Sequence, residues 1–587
     1  MLESRVSGMR SDQPAVRPLE DGEIARILDA HARWLAAGRP DQARQGTADG
    51  ARADLAGRSL RGADLSGADL RCAIFAEADL TGADLSGAEL ADADFSGAVL
   101  HDVRFHEADL TNANLAGSKS LSAKSLAGSI LTNADLPDDV AKFDGLARTW
   151  EIAGRASNTF IVVLAACVYA WLAIGTTTDV RLVTNSASSP LPVLGTEIPI
   201  VGFYWAAPLI LLGAHLYIHI YLQRLWQGYA RLPAVFPDGM ALDQKAYPWL
   251  LSSLVQFNLR RLRGRQRLST CFDHMLCVIL AWWVVPFTLA MFWLRYLPRH
   301  DWPGTVWHIL LITAAAAASH ITYRLATRTL REIAEPHPET YVGEDRSPWG
   351  HGWRALKSYR PNLATLGVTV ALAIISVGAI DGAPGRLGGE IPNSLVPDIF
   401  RAVGFRATAD FRDLDVSVRP SGWTGREVDQ VVGAVLPKAD LRFADGRKAF
   451  LVNANLRSAN LEGADLKKAN FEGADLDEAL LAGADLTKAT LRNVNLEEAD
   501  LEGVELELAD LTGSILTRAH LRGANFDGAR LELVRFDGTD LTTARNLTRE
   551  QLAEACADTP PVLPASLAGL ALPPCPPEQG ERHRFDR

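Results

Sequence analysis

The chain has 587 residues, of which 48% are hydrophobic, and a formal net charge of -11 at pH 7. This composition excludes a disordered chain and a basic nucleic-acid binder, and six cysteines without a C-x-x-C pair argue against zinc-ribbon and redox motifs. The first residues lack the apolar core of a cleavable signal peptide, so we expect the segment that follows them to stay in the cytoplasm.

Residues 1–50 are predicted to form a helix and a linker that cap the next domain. A helix-like stretch, ILDAHARWLAA, covers residues 27–37. Six residues fall on one face of this helix and suit a lid over an open apolar end: Ile24, Ile27, Leu28, His31, Trp34 and Leu35.

Residues 51–136 carry a five-residue repeat in which every fifth residue from Leu55 to Leu115 is Leu or Phe, thirteen in succession. On an α-helix a step of five residues turns about 500°, and on a strand these side chains would alternate between faces. A chain that turns a corner every five residues buries them all. The residue two before each centre is nearly always Ala, which is small enough to point inward, and the residue just before is commonly Asp or Asn.

The repeat loses its phase near its end, because Leu115 is followed by Leu121 and not by a centre at position 120. Lys119 and Lys124 then fall where Ala belongs, and unpaired lysines cannot point inward. We therefore expect the coil to fray there and to lead through a juxtamembrane linker, residues 137–155, into a membrane span.

Residues 156–380 are predicted to form a transmembrane domain of about five helices. Each candidate stretch lacks Asp, Glu, Lys and Arg and is close to the twenty residues that a bilayer core requires. The five stretches are residues 156–178, 198–223, 275–294, 303–323 and 361–380.

The connections between these stretches differ in positive charge. Residues 224–274 and 324–360 together hold fifteen Lys and Arg, whereas the two opposite connections hold only Arg181, Arg295 and Arg299. The positive-inside rule therefore places the N-terminal arm in the cytoplasm of an inner membrane. An odd number of spans sends the C-terminal arm to the periplasm, and an even number keeps both arms in the cytoplasm. The arginine run at 260–267 is interpreted as headgroup anchoring.

Three histidines within the predicted spans are the candidate metal ligands: His215, His219 and His320. His215 and His219 are four residues apart and share a helical face, and His320 lies at comparable depth. Imidazoles at this spacing can share a metal, and ionisable residues within spans are functional candidates. Three interpretations stay open: hydrogen-bonded packing against the small-residue run 314–318, a metal or haem site, and passage of protons or substrate.

Residues 381–433 are predicted to be a linker and cap, residues 434–545 a second repeat array, and residues 546–587 a C-terminal cap and tail. Leu or Phe recurs every fifth residue from Leu451 to Leu541, nineteen in succession. Gly446 stands where a centre belongs, so a loop or bulge is expected at 445–448. Cys556 and Cys575 follow the array; a disulfide and two separate thiols remain alternatives.

The motif A-(D/N)-(L/F)-x-x, as in ADLSG at 63–67 and ANFEG at 469–473, resembles the pentapeptide-repeat family. The flanks resemble bacterial membrane-embedded members, for example in IPIVGFYWAAPLILL at 198–212. Residues 547–564 resemble the C-terminal caps of soluble members. The resemblance implies two right-handed quadrilateral β-helices that flank an α-helical transmembrane domain of about five spans.

The sequence holds no phosphate-binding G-x-x-x-x-G-K-[ST], no G-x-S-x-G and no H-E-x-x-H motif, so we expect no enzymatic activity and no cofactor. Acidic residues outnumber basic ones by 12 to 4 in residues 53–117 and by 18 to 10 in residues 449–545. We therefore expect a membrane-anchored scaffold that contacts lipids and a protein with a basic surface, and no nucleic acid.

Two alternatives come from other functional classes. Some soluble pentapeptide-repeat proteins resemble DNA and protect gyrase from inhibitors, so the resemblance also implies a DNA-mimicking, topoisomerase-interacting protein. The intramembrane histidines would instead fit a channel or transporter.

Overall fold

The computed structural model describes residues 21–37, 51–185, 188–190, 197–248, 251, 254, 268–331, 360–380 and 408–576. The arginine run 260–267 and most of the linker 381–433 therefore lie outside the described residues. The helices and strands are, in chain order, α1 (Asp21–Ala36), α2 (Asp144–Thr176), α3 (Asp179–Thr184), β1 (Ser188–Pro190), β2 (Glu197–Pro199), α4 (Ile200–Tyr229), α5 (Leu242–Lys245), α6 (Leu268–Val278), α7 (Val284–Tyr296), α8 (Trp302–Arg331), α9 (Arg360–Ile380) and α10 (Arg549–Ala553).

The chain divides into two compact units, each of which holds one repeat array and parts of the long helices. The first unit consists of Met1–Ala165, Gly213–Val284 and Ala316–Pro361. The second consists of Ala166–Leu212, Val285–Ala315 and Asn362–Arg587.

The first array forms a coil that we call the first rod. Residues twenty apart make parallel single-residue bridges, as in the column Asp54, Ile74, Asp94 and Asn114. Bridges replace longer strands because the chain turns again within five residues. All thirteen Leu and Phe centres are buried, as the repeat predicts.

The two ends of the first rod are covered by other segments of its unit. At the N-terminal end, α1 packs Ile24 on the core, and the Ala53 N–H donates to His31 Nδ1 over 3.0 Å. At the other end, Ile130 bridges Val235, which lies in the connection between α4 and α6. That connection continues the coil after the array itself has ended.

The expected fraying near Lys119 and Lys124 is wrong. Both lysines are exposed, and Lys119 bridges Val99 from an outward-facing position. The chain accommodates the extra residue by lengthening one turn. In the column that contains Glu89 and Asp109, the next bridge therefore joins Asp109 to Ile130, which is 21 residues later instead of twenty. No lysine has to point inward.

Four helical segments are long and apolar enough to cross a membrane: Asp144–Thr176, Ile200–Tyr229, Phe272–Arg299 and Trp302–Leu330. The first begins at Asp144, so most of the predicted linker 137–155 is helical and is continuous with the predicted span that starts at 156. The fifth predicted stretch corresponds to α9, which has 21 residues. Only residues 365–380 of this helix are described in full, and they form a shorter apolar helix.

The second array forms the second rod, whose nineteen Leu and Phe centres are buried. The expected bulge at 445–448 is wrong, because Asp445 bridges both Asp410 and Asp465 without interruption. Gly446 occupies the centre position, where the Leu466 side chain of the next coil reaches to 2.8 Å from the place of a Cβ atom. The neighbouring leucine thus fills the space that a side chain at 446 would occupy.

The irregularity of the second rod lies earlier, in a hairpin at 416–434. Asp410 and Asp445 are bridged although they are 35 residues apart, whereas one coil needs only twenty. The fifteen additional residues leave the rod between Asp415 and Val435. Val418 and Val432 form an antiparallel bridge at the base of this hairpin.

The tip of the hairpin packs against the side of the rod. Trp423 makes an edge contact with Phe450, with ring centroids 5.2 Å apart, and the Arg419 guanidinium lies 4.1 Å from the centroid of the same ring. Phe450 occupies a position that normally holds Asp or Asn, and the hairpin covers it.

The ends of the second rod are also capped. Val180 and Val183 of α3 pack on the apolar core at the first coil. At the other end, Cys556 and Val562 bridge Arg535 and Asp540 of the last coils.

Cys556 and Cys575 form a disulfide that closes the terminal segment. The structure therefore selects the disulfide from the two alternatives that the sequence leaves open.

Candidate functional site

A buried polar cluster in the first unit joins α4, α8 and the π-helical turn Ile279–Trp283. His215 Nε2 lies 2.9 Å from Ser319 Oγ, and Ser319 donates to the Trp282 carbonyl over 2.6 Å. The hydroxyl has one proton, which this carbonyl accepts, so His215 must donate from Nε2. The chain of hydrogen bonds therefore places a proton on Nε2 of His215.

The Trp282 carbonyl is available because the helix is irregular at this point. Pro286, four residues later, has no N–H to donate and its ring disfavours regular helix, and the π-helical turn precedes it. The Trp282 indole N–H also donates to Thr322 Oγ1 over 3.1 Å. One residue thus makes two hydrogen bonds to α8.

His219 lies beside His215, with ring centroids 4.2 Å apart, and faces Trp282 with centroids 5.6 Å apart. His219 is only 2% exposed, and neither of its ring nitrogens has a hydrogen-bond partner in the described part of the chain. An unsatisfied buried polar group costs about 1–3 kcal/mol.

His320 follows Ser319 on α8 and is half-buried. Among the described residues, the one group of three potential ligands whose donor atoms all lie within 4.8 Å of one another is Asp537, Asp558 and Cys575, and the disulfide occupies Cys575. The structure therefore brings His215 and His219 together and leaves His320 outside that distance.

A second polar cluster lies where the second rod meets the ends of the helices in its own unit. Arg295, at the end of α7, forms a buried ion pair with Asp179 and donates from Nε to the Thr177 carbonyl over 3.0 Å. Asp179 Oδ2 accepts from the Asp410 N–H over 2.8 Å. Asp179 thus links the rod to the helices.

A cleft of about 430 Å³ opens beside this ion pair. Its lining mixes both signs of charge and consists of Thr178, Asp179, Arg295, Asp410, Arg412, Asp413 and Leu414.

His300, directly after the third long apolar segment, makes another contact with the first coil of the second rod. Its Nδ1 lies 3.3 Å from Asp440 Oδ1, and Arg442 pairs with the same carboxylate over 2.7 Å. Burial alone would raise the pKa of Asp440, but hydrogen bonds from His300 and Arg442 hold that pKa well below its usual range. The carboxylate therefore stays charged at neutral pH.

One side of the second rod carries a continuous ladder of opposite charges. Each basic side chain lies within 4 Å of the acidic residue of its own coil and of the next coil. Along the rod the ladder runs through Asp410, Arg412, Asp445, Arg447, Asp465, Lys467 and Asp485.

Another side of this rod concentrates negative charge in what we call the acidic patch: Asp477, Glu478, Glu497 and Glu498. Burial raises the pKa of Asp477, and the charges of Asp475, Glu478 and Glu497 raise it further. Arg457 and Arg518 pair with members of the patch. Burial is the largest of these effects on the pKa of Asp477, and the Arg457 charge opposes it.

Sequence reasoning finds the histidines because their spacing is local, but it misses the groups that hold them. Pro286 within an apolar stretch was the available signal for a free carbonyl near position 282. Nothing in the local sequence pairs Asp179 with Arg295 or Asp410, because these residues are more than a hundred positions apart.

The chain matches a family model described as pentapeptide repeats, with eight copies, in residues 51–87, 78–117, 432–463, 464–503 and 505–542. The chain therefore belongs to the pentapeptide-repeat family. No curated protein matches it significantly.

Solved structures with similarity to the chain are themselves pentapeptide-repeat proteins. One from Nostoc PCC 7120, alr5209, is 35% identical over 19% of this chain and 84% of its own, with a TM-score of 0.11. One from the Arabidopsis thaliana thylakoid lumen is 34% identical over 16% of this chain and 70% of its own, with a TM-score of 0.11. The plasmid-mediated fluoroquinolone resistance protein QnrB1 is 22% identical over 26% and 80%, with a TM-score of 0.14.

Proposed function

We propose that this protein is a non-enzymatic, membrane-anchored scaffold that presents two pentapeptide-repeat rods to protein partners. The observation that carries the proposal is the way each rod is mounted. The first rod continues through a main-chain bridge into the connection after α4, and the second rests on α3 and His300. Such mounting holds a rod surface in a fixed orientation and lowers the entropic cost of binding.

We propose further that the rods face different compartments. The first rod joins the connection between α4 and α6, which belongs to the positively charged set. The second rod joins the connections after α2 and α7, which hold few positive charges. The positive-inside rule then assigns the first rod to the cytoplasm and the second to the periplasm. The Cys556–Cys575 disulfide supports an oxidising environment for the second rod.

This assignment requires α9 to be a fifth span. Its 21 residues reach about 31 Å at 1.5 Å per residue, close to the roughly 30 Å thickness of a hydrocarbon core. Trp293 and Thr313 bond to Ser376 and Thr369 of this helix, so α9 packs beside apolar segments of its own unit.

The partner of the second rod is proposed to present a basic surface to the acidic patch. The double variant E478K/E498K reverses two exposed charges in the patch, and E507K/E532K makes the same change in net charge at exposed positions elsewhere on the rod. Crosslinking and affinity capture with the full chain should lose the partner only with the first variant. Equal loss with both variants, or capture unaffected by either, would contradict the proposal.

DNA mimicry is the alternative for the first rod, which also carries a surplus of acidic residues. The scaffold account predicts that the full chain in nanodiscs leaves gyrase supercoiling unchanged in the presence and absence of a gyrase inhibitor. Protection of gyrase at stoichiometric protein would favour mimicry instead.

A metal site at His215 and His219 is a second candidate function, favoured by the unsatisfied nitrogens of His219. Two imidazoles chelate a transition metal, and His320 would complete the set by turning toward them. Metal analysis of the purified protein should find stoichiometric metal that H219F abolishes. The absence of stoichiometric metal from protein saturated with Zn²⁺ or Cu²⁺ and then washed would remove this candidate.

A further inference from the structure

The first coil of the second rod carries an exposed apolar surface that the proposed scaffold function does not use. Three valines form it: Val418, Val432 and Val435, which are 63%, 66% and 68% exposed. We call these three residues the valine collar. Val435 occupies a position that in the following coils of its column holds Asn455, Asp475 and Asn495.

The position of the collar on the coil is defined by the contacts of that coil. Asp410 and Asp440 lie on two neighbouring sides of the square coil, and they contact Asp179 and His300. Asp179 and His300 follow the apolar segments that end at Thr176 and Arg299 by only a few residues.

The remaining two sides of this coil begin at Asp415 and Val435, and the hairpin with Val418 and Val432 leaves the rod between them. These two sides lie opposite the sides that carry Asp410 and Asp440. If the helices cross a bilayer, these two sides of the first coil lie next to the lipid that surrounds the helix ends.

We propose that the valine collar contacts the lipid surface and holds the base of the second rod in the interfacial layer of the membrane. The headgroup region extends several ångströms beyond each face of the hydrocarbon core, and the first coil adjoins the ends of the helices.

The other exposed large apolar residues on the coils of this rod do not form such a surface. Leu480, Leu508 and Leu533 occur singly, in later coils and at different positions around the square. Leu414 of the first coil is also exposed, but it lines the cleft beside Asp179 and Arg295. Scattered exposed leucines need no partner, whereas Val435 on the first coil and two valines at the base of its hairpin form a local apolar edge.

The test places an environment-sensitive fluorescent amino acid at one position of the full chain in nanodiscs. Position 432 reports on the collar, position 508 is the matched exposed site farther along the rod, and position 287 is an exposed apolar site within α7. Half of the nanodiscs contain phosphatidylcholines that carry a quenching nitroxide near the headgroup or along the acyl chain.

The proposal predicts a blue-shifted emission at 432 and quenching several-fold greater at 432 than at 508, together with strong quenching at 287. Strong quenching at 287 with equally weak quenching at 432 and 508 would overturn the proposal. Equal and strong quenching at 432 and 508 would also overturn it, because the whole rod would then lie on the membrane. Neither result depends on the partner-capture experiment, so the scaffold proposal can fail separately.

Discussion

At the scale of single residues, the Ser319 hydroxyl holds three elements of the first unit together. It accepts from His215 on α4, belongs to α8, and donates to the Trp282 carbonyl at the π-helical turn. S319A would leave both partners buried and unsatisfied, so we expect it to lower the free energy of unfolding by about 1–3 kcal/mol.

Thermal unfolding in detergent measures this change. The control is T327A, because the Thr327 hydroxyl bonds to the Arg324 carbonyl within its own helix. Equal stability of S319A and T327A would show that the hydrogen-bond chain does not contribute to stability.

His106 gives the first rod a defined pH dependence. Burial lowers the pKa of His106 to about 4, although Nδ1 donates to the Ala127 carbonyl over 2.9 Å. Between pH 6.5 and about 4 the unfolded chain binds a proton that the folded rod does not bind. The contribution of His106 to stability is therefore present above pH 6.5 and is lost as the pH falls toward 4.

We expect this loss to be roughly 2–4 kcal/mol, because the pKa of His106 falls from 6.5 in the unfolded chain to about 4 in the folded rod. Asn at this position keeps an N–H donor and does not titrate. Subtracting the pH profile of H106N from that of the wild type therefore removes the contributions of all other titrating groups and leaves that of His106. Parallel unfolding profiles of the wild type and H106N from about pH 7 to about pH 4 would contradict this account.

At the scale of elements, the junction of α3, α7 and the second rod depends on the ion pair between Asp179 and Arg295. Both side chains are largely buried, so removal of one partner leaves an uncompensated charge. We expect R295M to lower the free energy of unfolding of the second unit by about 3–5 kcal/mol, and D179N/R295M to cost less because no charge remains.

Protease release of the second rod from the full chain, combined with thermal unfolding, measures both variants. A double variant as unstable as R295M would show that the lost side-chain packing, and not the stranded carboxylate, causes the effect.

The coils themselves could be predicted from the sequence, because each turn repeats the same local pattern and Leu60 needs the same environment as Leu80. The ends of the coils could not be predicted in this way. Val235 continues the first rod from about a hundred residues away, and α3, which lies between the long helices α2 and α4, caps the second rod from a much earlier part of the chain. The end of a coil exposes apolar side chains, and any apolar segment of suitable shape could cover them. The sequence therefore does not show which segment forms the cap.

The expected fraying near Lys119 and the expected bulge at Gly446 are wrong for a physical reason. A slip in a repeat can be absorbed by one longer turn, as at Lys119, or can be silent when a neighbour fills the space, as at Gly446. The real insertion is the hairpin between Asp415 and Val435. It adds fifteen residues, which are three whole repeats, so the phase of the repeat is the same on both sides.

In the whole molecule, the spacing of His215 and His219 predicts that they share a helical face. The residues around this pair come from helices that are distant in sequence, so the sequence does not predict them. The same holds for the acidic patch: the surplus of acidic residues is visible in the sequence, whereas their convergence on one side follows from the twenty residues in each coil. The chemistry of both sites therefore depends on residues that the sequence does not place together.

The proposed topology puts the first rod on the cytoplasmic side of the membrane and the second rod on the opposite side. The direct test is labelling with a membrane-impermeant maleimide in sealed right-side-out vesicles, with every cysteine other than Cys556 and Cys575 replaced and one cysteine introduced at exposed Asp102 or at exposed Lys488. The account predicts that K488C is labelled before the vesicles are permeabilised and that D102C is labelled only afterwards. Labelling of both sites only after permeabilisation would place both rods in the cytoplasm and contradict the account.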